Sequence, residues 1–238
     1  MGIAGTGGLL VNIDARIAER FGLDEQAMQR LHGLLEAIEA APMNLTAWRG
    51  DALWERGVWD SLLLLPWIDQ FGTQFLDIGS GAGFPGMVLA IARTRSRWTL
   101  LESRARRAEF LQETAGRLGL DEVRVAAERA EEWIWQDALL REGFDAVTMR
   151  AVAGTRASLE LGLPYVRTGG RLLLPKGSDG LADVQAEAEW MARLGGGRIE
   201  AADSIVAGPD GRPGKIVIVE KAAPTPEIYP RPAKQLGM

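Results

Sequence analysis

Cysteine is absent from the 238 residues, and histidine occurs once, as His32. The first absence removes disulfides, thiolate nucleophiles and cysteine-held zinc or iron–sulfur centres. The second removes multi-histidine metal sites, and no acidic loop of the calcium-binding type takes their place, so no metal is expected. Long apolar runs are also missing. The longest, around Leu62 to Leu65, is far shorter than the roughly 18 to 20 residues of a bilayer span, which argues against membrane insertion. The first eight residues show neither the basic nor the apolar region of a secretory leader, so a cytoplasmic protein is expected. A basic excess is lacking too: 27 lysines and arginines stand against 32 acidic residues, for a net charge of −5. Nucleic-acid-binding domains are usually strongly basic. The sum conceals a local concentration, since Arg93, Arg95, Arg97, Arg104, Arg106 and Arg107 fall in one short stretch, and phosphate contacts need only one basic face.

What is present is ordinary for one large folded domain, with 47% hydrophobic and 25% charged residues. From Ile13 to about Leu65 the apolar spacing is helical: Met28, Leu31, Leu34, Leu35 and Ile38 recur at three and four behind an N-cap at Asp24. Pro42 closes that helix, and Asp51 is placed to cap another carrying Leu53, Trp54 and Leu62. After Gly72 the texture changes to short apolar strands alternating with amphipathic helices, which predicts a parallel sheet covered on both faces. Strands are expected at 75–78, 98–101, 123–126, 146–149 and 171–174, and helices at 85–93, 104–118, 130–140, 158–165 and 181–194. Two late segments, 199–206 and 215–219, read as a hairpin at the sheet edge. Residues 1–72 are thus read as a helical N-terminal segment packed on the core, 73–223 as an α/β domain, and 224–238, with four prolines, as an extended tail.

The sharpest local feature is the run from Phe75 to Gly86, FLDIGSGAGFPG, a strand passing through a glycine-rich turn into a helix. Glycines there let the backbone approach a ligand closely, which points to a nucleotide-like molecule. Gly81, Gly83 and Gly86 formally match the dinucleotide fingerprint, but Gly79 opens the turn directly after the strand and Asp77 precedes it. A carboxylate there would repel a pyrophosphate and attract an ammonium, which suits S-adenosyl-methionine. Glu102, at the tip of the second strand, can accept both hydroxyls of a ribose. Ala130 and Glu131 follow the third strand, where adenine could lie, although an acidic helix start explains the same letters. Arg150 and Lys176 follow the fourth and fifth strands on the ligand-binding edge, and two cations there suit an anionic substrate such as RNA.

Together these motifs, with Asn44-Leu45-Thr46 and Asp60-Ser61-Leu62 upstream and Tyr229-Pro230-Arg231 near the end, resemble the bacterial small-subunit ribosomal RNA guanine-N7 methyltransferases, historically called glucose-inhibited division protein B. The resemblance implies a class I S-adenosyl-methionine-dependent methyltransferase, Rossmann-like, with a mostly parallel seven-stranded sheet. It implies methyl transfer to N7 of a guanine in the decoding region of 16S ribosomal RNA, with that RNA or the small subunit as partner; nothing in the sequence demands an obligate dimer, and a monomer is expected. Cofactor contacts would fall on Asp77, Gly79, Gly81, Gly83, Phe84, Glu102, Ser103, Ala130, Glu131 and Arg150, while Arg150 and Lys176 would position the RNA without a general base. Two departures stand out: Gly57 holds a position where members commonly carry histidine, and Pro232 follows Arg231 where a second arginine is usual. Rival readings are a class I methyltransferase for a protein or small molecule, a non-catalytic ribosome-assembly factor with a cofactor pocket, and, last, a nicotinamide-dependent oxidoreductase.

Overall fold

The computed structural model describes residues 13–207 and 211–236. The N-terminal part is helical: α1 (Ile13–Phe21), α2 (Glu25–Ala40), a π-helical stretch Leu53–Trp59 that runs directly into α3 (Asp60–Leu62), and α4 (Leu65–Ile68). Asp24 caps α2 as its position predicts, accepting from the Ala27 N–H at 2.7 Å; such a cap is worth about 1 kcal/mol. The expected cap at Asp51 is absent. The stretch after it has no side-chain cap and widens into π-helical turns. Those turns bring Gly57 onto the Phe84 ring, where a Cβ would lie 2.6 Å from Cζ.

The α/β part runs β1 (Gln74–Ile78), α5 (Gly86–Ala92), β2 (Arg97–Leu101), α6 (Ala105–Arg117), β3 (Val123–Ala126), α7 (Ala130–Trp133), β4 (Phe144–Met149), α8 (Thr155–Gly162), β5 (Val166–Lys176), α9 (Gly180–Ala186), α10 (Ala188–Arg193), β6 (Gly196–Ala207) and β7 (Pro213–Lys221). The seven strands lie in the order β3-β2-β1-β4-β5-β7-β6. The first five are parallel, and the expected hairpin β6–β7 closes the sheet antiparallel, with β7 against β5. Strand order reverses around β1, and its last residue, Ile78, pairs with Met149 of β4. The loops leaving these two strands therefore emerge side by side, in the crevice where open α/β sheets bind ligands.

Alternate residues of β1 serve opposite faces, as the period of two requires. Phe75 joins a core with Leu31 and Leu34 of α2, Met87 of α5 and Leu111 of α6, while Leu76 and Ile78 join another with Leu159 of α8, Tyr165 and Val217. The N-terminal helices thus share one core with α5 and α6. Two expected helices are broken. Residues 130–140 divide into α7 and a 3-10 turn, Ala138–Leu140, because the Asp137 side chain accepts from the Leu139 N–H and competes with a continuous helix. Residues 181–194 divide at Glu187 into α9 and α10. The tail, expected to be extended, is docked and ends in a helical turn, α11 (Ala233–Leu236). Arg231 grips the buried Glu160 through Nε at 2.9 Å and Nη2 at 2.6 Å, and Tyr229 packs edge-on against Trp190.

Candidate functional site

Gly79 opens the turn after β1 with φ +74°, and a Cβ there would lie 2.5 Å from Val152. Both the left-handed backbone and the approach of the loop after β4 demand glycine. Beneath the turn, Asp77 is almost fully buried, with Oδ1 accepting from the Thr148 hydroxyl at 2.7 Å and Oδ2 from the Gly86 N–H at 3.1 Å. Burial pushes its carboxyl up to about 6, only partly offset by Thr148, Ser80, the Gly86 N–H and Arg150. Glu102 ties the turn to β2: its Oε2 accepts from the Gly81 N–H at 3.0 Å and its Oε1 from the Arg104 N–H at 2.8 Å. Each of those oxygens keeps a lone pair for a further donor.

Two cavities open on this edge. The smaller, about 240 Å³, has Gly79, Ser103, Ala130 and Glu131 in its lining, with apolar walls from Ile78 and Leu161. The main chain is well anchored there, since the Tyr165 hydroxyl donates to the Ala130 carbonyl at 2.6 Å and Arg129 pairs with Glu131 at 2.5 Å. Flat apolar walls, the Glu131 and Glu128 carboxylates beside them and Glu102 at the adjoining strand tip fit an adenosyl group with free ribose hydroxyls and a cationic tail. They suit S-adenosyl-methionine better than a phosphate-bearing dinucleotide.

The larger cavity, about 570 Å³, lies over β4 and β5 and is framed by Trp48, Arg56, Asp60, Arg150, Lys176 and Ser204. Arg150 is its anchor. The guanidinium donates to the Arg56 carbonyl at 2.9 Å, stands 3.7 Å from Asp60 Oδ2, and lies 4.8 Å and 5.6 Å from the ring centroids of Trp48 and Phe84. Such contacts are worth up to about 2 kcal/mol where water is excluded. Burial lowers the Arg150 pKa, while Asp60 and Asp77 support its charge. Lys176 is half-buried, and burial lowers its pKa against the opposing pull of Asp183. Ala151 holds φ +54°, unusual for a residue with a side chain. It belongs to the segment 150–153, whose Val152 faces the small cavity while Arg150, Ala151 and Ala153 line the large one. This segment is the partition between the two.

The expected residues therefore divide. Gly79, Ser103, Ala130 and Glu131 line the small cavity; Arg150 and Lys176 line the large one. Asp77, Gly81, Gly83, Phe84 and Glu102 line neither, and build the turn or support Arg150. The arginine cluster does not form one face. Arg97 begins β2 and Arg104 follows its end, so the strand places Arg93, Arg95 and Arg97 roughly 16 Å from Arg104, Arg106 and Arg107, on the opposite sheet edge. Arg93 is moreover spent on a two-point pair with Asp69, at 2.6 and 2.8 Å. Trp48, Arg56, Ser204 and Lys215 escaped sequence reasoning, and Asp60 entered it only within the Asp60-Ser61-Leu62 motif, with no place in the large cavity. Only the upstream helical segment and the late hairpin, each set against the ligand-binding edge, could have signalled them. His32 lies elsewhere, 3.2 Å from Asp14 and edge-on to Trp54. Among the described residues no three His, Asp or Glu side chains are placed to hold a metal ion, and no helix is long and apolar enough to cross a membrane.

A model of the GidB family, described as rRNA small subunit methyltransferase G, matches residues 24–200. The chain belongs to this family. It is 40% identical over 189 residues to the ribosomal RNA small subunit methyltransferase G of Chloroflexus aggregans, covering 79% of this chain and 78% of that one. The namesake from Roseiflexus castenholzii is 39% identical over 230 residues, 92% and 97% of the two chains. Among solved structures the fold is similar to the O-methyltransferase from Bacillus cereus in complex with SAH, with TM-score 0.58, 20% identity and 88% and 97% of the chains covered. It is similar also to a SAM-dependent O-methyltransferase from Thermotoga maritima, with TM-score 0.52, 16% identity and 82% and 73% covered. The fold is that of the class I methyltransferases, and in this chain Trp48, Arg56 and Asp60 of the N-terminal part line the large cavity.

Proposed function

We propose that this protein transfers a methyl group from S-adenosyl-methionine to N7 of a guanine in the decoding region of 16S ribosomal RNA, acting as a monomer in the cytoplasm on the RNA or the small subunit. One observation carries the reading: two cavities of opposite charge balance share the partition at 150–153, one with Glu128 and Glu131 against Arg129, the other with Arg56, Arg150, Lys176 and Lys215 against Asp60 and Asp183. The family membership of residues 24–200 supports the RNA substrate.

In this reading Glu102 holds the ribose, Glu131 and the Ile78 and Ala130 walls hold the adenosyl group, and the turn from Gly79 to Gly83 seats the methionine part. S-adenosyl-methionine, when bound, supplies an electrophilic methyl group on a sulfonium. Guanine N7 carries a lone pair and no proton, so the protein needs to align the base rather than deprotonate it. A chain without cysteine and with a remote His32 loses nothing by that. Trp48 offers a stacking face for a base turned out of its helix. Lys176 and Arg56 neutralise backbone phosphates, and Arg150, fixed by four neighbours, keeps the partition in register. The test is methyl transfer from labelled S-adenosyl-methionine to small subunits from cells lacking the modification, with the labelled base mapped by N7-specific strand cleavage. Label at a guanine N7 supports the reading; label on protein, or at another atom, overturns it.

A further inference from the structure

Two carboxylates line the large cavity, and they differ in kind. Asp183 is exposed on α9. Asp60 is only 8% exposed, at the end of the π-helical stretch. Its Oδ1 accepts a short hydrogen bond from the Ser204 hydroxyl of β6. Its Oδ2 stands 3.7 Å from Arg150 Nη1, an ion pair too long for a hydrogen bond, and accepts none from the described residues. This oxygen faces the cavity with no described donor on it, and burial of the residue raises the Asp60 pKa against the pull of Ser204 and Arg150. The cavity is thus built to receive N–H donors at this point.

Guanine is the base that can supply them in a pair. Its N7 and O6 lie along one edge, while N1–H and the N2 amino group lie on the other and point the same way. A guanine that offers N7 for alkylation therefore presents two parallel donors to another wall, and a carboxylate accepts two such donors well. Adenine meets the same carboxylate with the N1 lone pair and is repelled. We propose that Asp60, fixed by the Ser204 hydroxyl, reads the N1–H and N2 amino group of the target guanine and so sets the enzyme's choice of base. This rests on the reading of the large cavity as the acceptor site for guanine.

The test uses small subunits reconstituted with 16S RNA carrying guanine or inosine at the base that the wild-type enzyme labels; inosine keeps N1–H and lacks the amino group. Wild type should favour guanine over inosine by about 10- to 100-fold in kcat/KM, the range for one hydrogen bond to a charged partner. In Asp60→Asn, which keeps the shape and the bond to Ser204, the guanine rate should fall and the ratio should shrink to within about threefold. A merely structural Asp60 would lower both rates together and leave the ratio intact, which overturns the proposal. If the variant does not fold, the wild-type ratio decides by itself, because equal rates on guanine and inosine overturn the proposal. Failure of the underlying reading is separate and visible first, as no N7 label on the unsubstituted RNA.

Discussion

The small and the large cavity share one partition and were assembled by different means. The small one gathers the tips of three adjacent parallel strands, with Gly79, Ser103 and Ala130 one, two and four residues past β1, β2 and β3, and is completed by Val152 and Leu161. The large one gathers Trp48 from the loop after α2, Asp60 from α3, Arg150 from the loop after β4, Lys176 from the end of β5, and Ser204 from the late hairpin. A site built on the neighbouring strand tips of a shared sheet suits a common cofactor; a site completed by segments outside that sheet's parallel core can be rebuilt for a particular substrate on the same scaffold. In the proposed function, cofactor binding falls to one side of 150–153 and choice of acceptor to the other.

The harshest way to break that division is Gly79→Val. A β-branched residue at φ +74° that also overlaps Val152 should weaken cofactor binding by more than about 100-fold in calorimetry, while small-subunit binding in filter assays stays intact. Lys176→Glu probes the other side. It should lower kcat/KM on small subunits by about 10- to 100-fold and steepen on raising salt less than wild type does, since a phosphate contact is lost, with cofactor Kd unchanged. A cofactor Kd that moved with it would merge the two sites into one.

Asp77→Asn sharpens the comparison through pH. The wild-type carboxyl titrates near 6 in the folded state against an ordinary value of 3.8, so the folded protein binds the extra proton between those values. Stability from this group is full below about pH 4 and lost as pH rises through 6, on the order of 3 kcal/mol in all. Melting temperatures measured from pH 4 to 7 should fall with rising pH in wild type relative to the asparagine variant. Equal slopes would mean that Asp77 stays charged and hydrated, as a ligand contact would. The smallest effect belongs to His32→Ala, far from both cavities and paired at the surface: within about 0.5 kcal/mol in stability and no change in turnover.

The same contrast explains what could be read from the chain alone. β3 occupies the four residues expected, and β1 and β2 begin one residue earlier than expected, because short apolar runs are local signals. Breaks at Asp137 and Glu187 were hidden inside helical periodicity, where one side-chain bond or one turn decides. The close packing of Gly57 on the Phe84 ring involves a residue from beyond β1, so nothing near Gly57 in the chain announces it. The arginine cluster misled for the converse reason: neighbours along the chain were carried by β2 to opposite edges of the sheet. Asp60 and Ser204, 144 residues apart, meet only in the folded protein.

The most direct test of the two-cavity assignment is a crystal structure with S-adenosyl-homocysteine. The account predicts adenine against Ile78 and Ala130, ribose hydroxyls on Glu102, and the sulfur beside the 150–153 partition, with the Trp48 and Lys176 cavity left open for the base. Adenine bound between Trp48 and Lys176 instead would contradict it.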